Sequence, residues 1–181
     1  RAHRPYREDD TPSPPSVYGR TKLAGERVLL EALPTDAAIL RTAWLYSEVG
    51  NNFVKTMLRL GAERPEIRVV NDQLGSPTYA GDLAKAVLHV LTAPTFHPGV
   101  YHYTNEGTCS WYDFACHILR VARPTCIVRP IPTADYPTPA ARPAYSVLDK
   151  TRIRTVYGLQ IPRWQDSLDR CLHHLMDAAS L

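Results

Sequence analysis

The feature that most constrains the fold of this chain is an imbalance between its two kinds of apolar segment. Helical patterns recur five or six times along the 181 residues, whereas three segments read as strands, with one short edge-like piece besides. Pro14 to Leu33 reads as a helix, with Ser13 as N-cap, Pro14 at the first helical position and Pro34 as its stop. A short apolar strand opens A37-A-I-L-R-T-A-W-L-Y46. A helix from Asn51 to Ala62 follows, its apolar side supplied by Phe53, Met57, Leu58 and Leu60. I67-R-V-V70 is the next strand and N71-D-Q-L-G-S-P-T78 a turn-rich loop. Ala80 to Leu91 repeats Leu83, Val87, Leu88 and Leu91 at helical spacing. G99-V-Y-H-Y-T104 is the third strand. Ser110 caps a helix running through Trp111, Phe114, Ala115, Ile118 and Leu119. C126-I-V-R-P-I131 is a proline-bounded edge piece. Pro132 to Pro143 carries too many prolines for regular structure and reads as an ordered loop or lid. Asp149 to Tyr157 and Arg163 to Met176 complete the helices. Strands alternating with helices make the class α/β with parallel pairing. Yet so few strands offer too little sheet for so many helices.

The start of the chain agrees with that shortage. R1-A-H-R-P-Y-R-E-D-D-T-P-S-P-P15 is polar, proline-rich and lacks a methionine, which suggests a tag scar or a piece of a longer protein. No G-x-x-G-x-x-G or P-loop glycine run occurs anywhere. A hydrophobic share of 44% with 22% charged residues marks a globular chain rather than a disordered one. The formal net charge of +3 suits anionic small molecules but is too weak to argue for nucleic acid. No apolar run approaches membrane-spanning length, and no signal peptide opens the chain. Cys109, Cys116, Cys126 and Cys171 show neither a C-x-x-C pair nor zinc spacing, and read as buried or free thiols of a reducing compartment. The seven histidines do not cluster at ligand spacing, so no metal site is expected.

Within the first helix, V17-Y-G-R-T-K-L-A-G-E26 poses a chemical question. Stepping about 100° per residue puts the solvated Arg20, Arg27 and Glu31 on one arc. Leu29 and Leu33 fall opposite, with Lys22 between them and Tyr18 one turn earlier. A lysine on a buried face costs free energy unless something uses it. Chemistry offers a use. A phenol of ordinary pKa, near 10, exchanges protons poorly at neutral pH, and an ammonium one helical turn away favours the phenolate. The alternative is a snorkelling lysine beside a packing tyrosine.

The flanking residues decide between these. Y18-G-R-T-K-L-A-G-E26, preceded by Y6-R-E-D-D10, resembles the catalytic helix of the extended short-chain dehydrogenase/reductases. Within them it is most similar to the dTDP-4-dehydrorhamnose reductases. The resemblance continues through R41-T-A-W-L-Y46, G50-N-N-F-V-K-T-M57, N71-D-Q-L-G-S-P-T78 and W111-Y-D-F114. It runs on through the Y-P-T-P stretch from Tyr136 to Pro139, Arg142 and Pro143, and ends at Trp164 and Gln165. It therefore spans essentially the whole chain. It implies a partial Rossmann-like, NAD(P)-binding fold with a substrate-binding C-terminal subdomain. Residues 1–48 would be the catalytic helix and following strand of a truncated Rossmann domain, and 49–181 mainly the substrate-binding subdomain with interleaved Rossmann elements. About a hundred preceding residues, with the pyrophosphate-binding turn and a catalytic hydroxyl, would be missing, so little turnover is expected of this chain alone.

The resemblance also implies roles. Tyr18 would give a proton to the C4 oxygen of dTDP-4-dehydro-L-rhamnose, Lys22 would bind the nicotinamide ribose, and NADPH or NADH would be the cofactor. Trp44, just past a strand end, would lie against the sugar with an exposed ring face, or else be a core tryptophan. Asn51 and Asn52 could donate to sugar or diphosphate oxygens, or simply cap a helix. Gln73 could face the nucleotide, while Gly75 and Pro77 fix loop shape. Arg142 could hold the diphosphate with its guanidinium fork, or be a surface arginine. Asp10 and Glu26 read as solvated or structural charges. The implied setting is cytoplasmic dTDP-rhamnose and polysaccharide biosynthesis, without membrane or nucleic-acid partners and with a homodimer possible. Two alternatives stay open: a reductase of another nucleotide 4-ketosugar, and a non-catalytic contact subunit akin to the methionine adenosyltransferase beta subunit.

Overall fold

Each strand described in the computed structural model, which covers residues 4–123, 125–138 and 142–179, pairs with one other strand. β1 (Ala38–Arg41) runs parallel to β6 (Gly99–His102), with Ala38 opposite Gly99 and Arg41 opposite His102. β3 (Glu66–Val70) runs parallel to β8 (Ile127–Ile131), which places Pro130 opposite Val69. A proline is tolerated there because β8 has no second neighbour to receive its missing N–H. β2 (Leu45–Tyr46) pairs in parallel with β5 (Thr78–Tyr79), and β4 (Leu74–Gly75) in antiparallel with β7 (Cys109–Ser110). The α/β class and its parallel bias hold, but as four separate pairs rather than one sheet. The stretch 71–78, expected to be loop, supplies two of the short strands.

Local chemistry explains the helix bounds. α2 (Phe53–Glu63) begins where the Asn52 side chain accepts from the Lys55 N–H. α4 (Trp111–Ala122) opens on a capping box: Ser110 Oγ accepts from the Asp113 N–H, and the Asp113 carboxylate accepts from the Ser110 N–H. α5 (Thr151–Tyr157) stops at Gly158, whose φ of 65° suits a residue without Cβ. α3 (Ala80–Leu91) and α6 (Trp164–Ala179) fall close to where the apolar period puts them. α1 (Val17–Ala32) does not start at Pro14: Pro14 and Pro15 bias the residues before them away from helix, and Ser16 takes the cap by accepting from the Gly19 N–H. The proline-rich stretch holds one 3₁₀ turn, Thr133–Asp135, and Pro139 of the Y-P-T-P motif lies outside the described residues.

The main core gathers α2, α4 and α6 over β3. Val54, Phe114, Ile118, Leu168 and Leu172 are wholly buried there, each worth about 1.5–3 kcal/mol of transfer free energy. α2 and α4 approach closely at Gly61, where a Cβ would meet Leu119 Cδ2 at 2.5 Å. A smaller core joins Ala86 and Val90 of α3 to Tyr101, Tyr103, Ile153 and Tyr157.

A buried polar hub joins α3, α6 and the segment after β6. Asn105, fully buried, accepts from the Tyr79 N–H at 2.8 Å and donates to Asp82 and to Ser167 at 2.9 Å each. Asp82, 3% exposed, also accepts from Ser167 and from Arg170. Such a network holds only when every member is satisfied.

α1 contrasts with all of this. None of its residues is buried, and Val17, Tyr18 and Val28 are 66%, 72% and 66% exposed. Its tie to the body is Glu26, whose carboxylate takes both arms of the Arg41 guanidinium on β1. Glu26 is thus a structural charge, and so is Asp10, which accepts from the Arg7 N–H and pairs with Arg4. The apolar face that carries Lys22 faces solvent, so the desolvation cost expected of that lysine is not incurred here.

Candidate active site

Tyr18 and Lys22 stand one turn apart on this open face, with Lys22 Nζ 5.4 Å from the centroid of the Tyr18 ring. Tyr18 is 72% exposed. The pair is therefore accessible, and an ammonium over a phenol ring is a favourable contact in its own right.

A second group of expected residues meets at the end of β1. The chain does not run straight from β1 into β2: Trp44 between them has φ 51°, the one non-glycine residue in the left-handed region among those described. For a bulky side chain that costs about 1–3 kcal/mol and persists only where the surroundings enforce it. Four contacts do so. The Trp44 carbonyl accepts from the Thr78 N–H at 3.0 Å, while the Thr78 hydroxyl holds the Ala43 carbonyl. The Trp44 indole stacks on Trp111, with ring centroids 3.6 Å apart and planes 11° from parallel. Gly75 lies against the same indole, where a Cβ would fall 2.5 Å from Cε2 and 2.7 Å from Cζ2.

Trp44 is thus neither a core residue nor a bare platform. It is half-buried, and the ring face expected to be open is covered by Trp111. Trp111 in turn rests on Phe53 at 4.6 Å, and Phe53 stacks on the buried Phe114. An aromatic column therefore runs from the site into the main core.

The loop between β2 and α2 borders this column. Both ends of the Asn52 amide are committed: Oδ1 caps α2 and Nδ2 donates to the Ser47 carbonyl. Asn51 is exposed. Glu48 in the same loop accepts from the Tyr79 hydroxyl at 2.5 Å and lies 2.9 Å from His174 Nδ1 on α6. Burial alone would raise the Glu48 carboxyl, but these hydrogen bonds hold it below its ordinary value. Burial, and then the bond to that carboxylate, push the Tyr79 hydroxyl well up.

Gln73 departs from expectation. It is buried, and its Nε2 donates to Thr133 Oγ1 at 3.0 Å. Its neighbour Asp72 accepts from the Thr133 N–H and hydroxyl. Together they clasp the start of the proline-rich segment instead of presenting an amide to solvent. Arg142 is exposed near the far end of that segment, two residues before the Ala144 carbonyl accepts from the Leu74 N–H beside Gly75. The structure thus brings Trp44 and both described ends of the proline-rich segment beside Gln73–Gly75, with Asn52 heading α2 next to Phe53, while Tyr18 and Lys22 lie on α1. Trp111, Gly75 and Phe53 are the site residues that sequence reasoning did not single out as such. The glycine in N71-D-Q-L-G-S-P-T78 was the available signal, since a glycine next to a strand marks close approach.

No helix among the described residues is long and apolar enough to cross a membrane, and no cluster of three or more His, Cys, Asp or Glu residues among them is set to hold a metal. The four cysteines are unbridged.

Comparison with known proteins bears on the same residues. Residues 1–177 match the family described as the RmlD substrate binding domain. The dTDP-4-dehydrorhamnose reductase of Aggregatibacter actinomycetemcomitans is 46% identical over 173 residues, covering 90% of this chain and 58% of that protein. A probable dTDP-4,6-dihydroxy-2-methyloxan-3-one 4-ketoreductase of Streptomyces antibioticus is 44% identical over 179 residues, 98% of this chain and 60% of that protein. The crystal structure of the dTDP-4-dehydrorhamnose reductase of Bacillus anthracis in complex with NADP superposes with a TM-score of 0.85 at 42% identity, covering 94% of this chain and 59% of that one. The chain thus spans about three fifths of the length of these relatives, and it shares its fold with the Bacillus anthracis reductase, whose structure holds NADP. A match that takes in the Tyr18–Lys22 helix, the aromatic column and the proline-rich segment alike places this chain in the RmlD substrate binding domain family.

Proposed function

We propose that this chain carries the sugar-nucleotide side of a dTDP-4-dehydrorhamnose reductase, acting in the reduction of dTDP-4-dehydro-L-rhamnose to dTDP-L-rhamnose. The observation that carries the reading is the Tyr18–Lys22 pair on an open helix face in a chain so similar to named reductases. NADPH, or NADH, would supply the hydride. The described residues fit its nicotinamide end: Lys22 is exposed, and an ammonium with three donors suits a pair of ribose hydroxyls. Tyr18, within reach of the same ammonium, gives its proton to the developing alkoxide at C4. The apolar flank of the sugar meets the Trp44–Trp111 wall, where a 6-deoxy carbon is better received than a hydroxyl. Asn51, Asn52 and Gln73 border the nucleotide, with Gln73 acting through its hold on Thr133. Arg142, free of the sheet pairing beside it, takes the diphosphate. A homodimer in the cytoplasm completes the reading, and the four unbridged thiols agree with a reducing compartment.

The 44% identity to a probable 4-ketoreductase of a different dTDP sugar favours one second reading, a sister reductase with another 4-ketosugar as substrate. Calorimetric titration of the chain with dTDP-L-rhamnose and, separately, NADPH is the test. Binding of the sugar nucleotide supports the proposal, and binding of neither ligand refutes it. A preference for another dTDP-6-deoxyhexose over dTDP-L-rhamnose would select the sister reductase.

A further inference from the structure

Trp44 is held in a conformation that its own side chain disfavours, and the residues that hold it are themselves unusually well fixed. Trp111, stacked on it at 3.6 Å, is the first residue of α4, whose start is locked by the Ser110–Asp113 capping box. Phe53, which braces Trp111, is the first residue of α2, capped by Asn52. Two capped helix starts therefore back one indole, α4 directly through Trp111 and α2 through Phe53 behind it. Gly75 leaves room for that indole by having no side chain, since a Cβ there would fall 2.5 Å from Cε2 and force a shift. Ala144 and Ser146 pair with Leu74 next to it, so the returning end of the proline-rich segment is anchored to the same strand.

We propose that Trp111 and Gly75 are positioning residues for sugar recognition: they clamp Trp44 in its left-handed backbone conformation so that the wall meets the hexose at a fixed place. The proposal rests on the reading of Trp44 as a sugar contact. It adds that recognition of the sugar ring, as distinct from the dTDP moiety, depends on a residue that acts through Trp44. A rigid wall loses no freedom on binding, which is how a positioning residue strengthens affinity without new contacts.

The test uses the full 181-residue chain with the variants Trp111→Leu, Trp111→Phe and Gly75→Ala. Two stacked indoles give a far-ultraviolet exciton couplet in circular dichroism, a signature of the clamp that needs no ligand. Calorimetry with dTDP-L-rhamnose and with dTDP separates sugar from nucleotide recognition. Trp111→Leu is expected to abolish the couplet and weaken dTDP-L-rhamnose about tenfold, or ~1.4 kcal/mol, with dTDP unaffected. Trp111→Phe, which keeps a ring against Trp44, should recover most of the lost sugar affinity. Gly75→Ala should distort the couplet and give the same sugar-selective loss, and it carries the test alone if Trp111→Leu fails to fold. Unchanged affinity for dTDP-L-rhamnose in the leucine and alanine variants would overturn the proposal, as would equal losses for dTDP and the sugar nucleotide. Failure of the unmutated chain to bind either ligand would instead overturn the sugar-nucleotide reading, and the clamp's role with it.

Discussion

Replacing Asn105 by alanine should cost more stability than any surface change, because its amide is spent entirely on buried partners. The carbonyl oxygen satisfies the Tyr79 N–H, and that backbone group would be left without an acceptor at the start of α3. An orphaned buried donor costs about 1–3 kcal/mol. The amide nitrogen donates to the Asp82 carboxylate, a bond to a charged group worth about 1.5–3 kcal/mol. Asp82 keeps Ser167 and Arg170, so the carboxylate is not stranded, and the lower end of the combined range applies. We expect a loss of about 3 kcal/mol, a large part of the roughly 5–15 kcal/mol of an ordinary domain. Urea unfolding followed by far-ultraviolet circular dichroism measures it. Asn105→Asp checks the mechanism, since it keeps an acceptor for Tyr79 but sets a second carboxylate against Asp82 where the amide stood 2.9 Å away. That variant should be less stable than the wild type at neutral pH and recover as acid protonates the pair and restores a donor. A loss below about 1 kcal/mol for the alanine variant, or an aspartate variant as stable as the wild type at neutral pH, would refute the hub as described.

Three further outcomes follow from particular contacts. The Thr133 hydroxyl and N–H hold the Asp72 carboxyl below its ordinary value, so the clasp on the proline-rich segment should persist to lower pH than a free carboxylate allows. Its stabilisation is complete above the unfolded-state pKa and disappears as pH falls through the folded one. The Thr133 amide resonance should therefore inflect below the usual carboxylate midpoint, and an inflection at or above it contradicts the clasp. Arg41→Met should release α1, raising amide exchange across residues 17–32 by an order of magnitude or more while α4 is unaffected, as expected from losing a bidentate pair worth about 1.5–3 kcal/mol; equal protection of α1 in both proteins would show that something else holds it. Burial pushes the Cys171 thiol up to about 12, and Cys109 and Cys126 are buried as well, so a maleimide should label the half-exposed Cys116 first. Earlier labelling of Cys171 would mean that the α6 packing opens readily.

What could be read from the sequence was what neighbouring residues decide among themselves. Ser110 and Asp113 are three apart and make their capping box wherever the chain goes, and the apolar period of Leu83, Val87 and Leu91 marks α3 without reference to any partner. The Tyr18–Lys22 spacing is of the same kind. Illegible features depend on residues distant in the chain. Gln73 looked free because its partner, Thr133, lies 60 positions away. Trp44 gives no local sign of a positive φ, since tryptophan has no preference for it; Trp111 at the start of α4 and Gly75 in β4 impose it from elsewhere in the chain. The apolar stripe of α1 was visible, but whether a stripe is covered is decided by what lies across from it, and a pattern in one segment carries no information about that.

The pairing of strands also bears on how fast this chain can fold. Every parallel pair joins segments far apart in sequence: Ala38 meets Gly99 and Glu66 meets Ile127, with a helix or more between. Loop closure must therefore be accomplished before either ladder gives anything back. α4 and α2, by contrast, can form their capped starts early. During synthesis β3 has to wait for β8, so the apolar Ile67, Val69 and Val70 lack that neighbour while some sixty further residues are made, several seconds at about 5–20 residues per second. The late-arriving Pro130 on β8, opposite Val69, leaves an outer edge that cannot offer a full row of donors to a neighbouring chain.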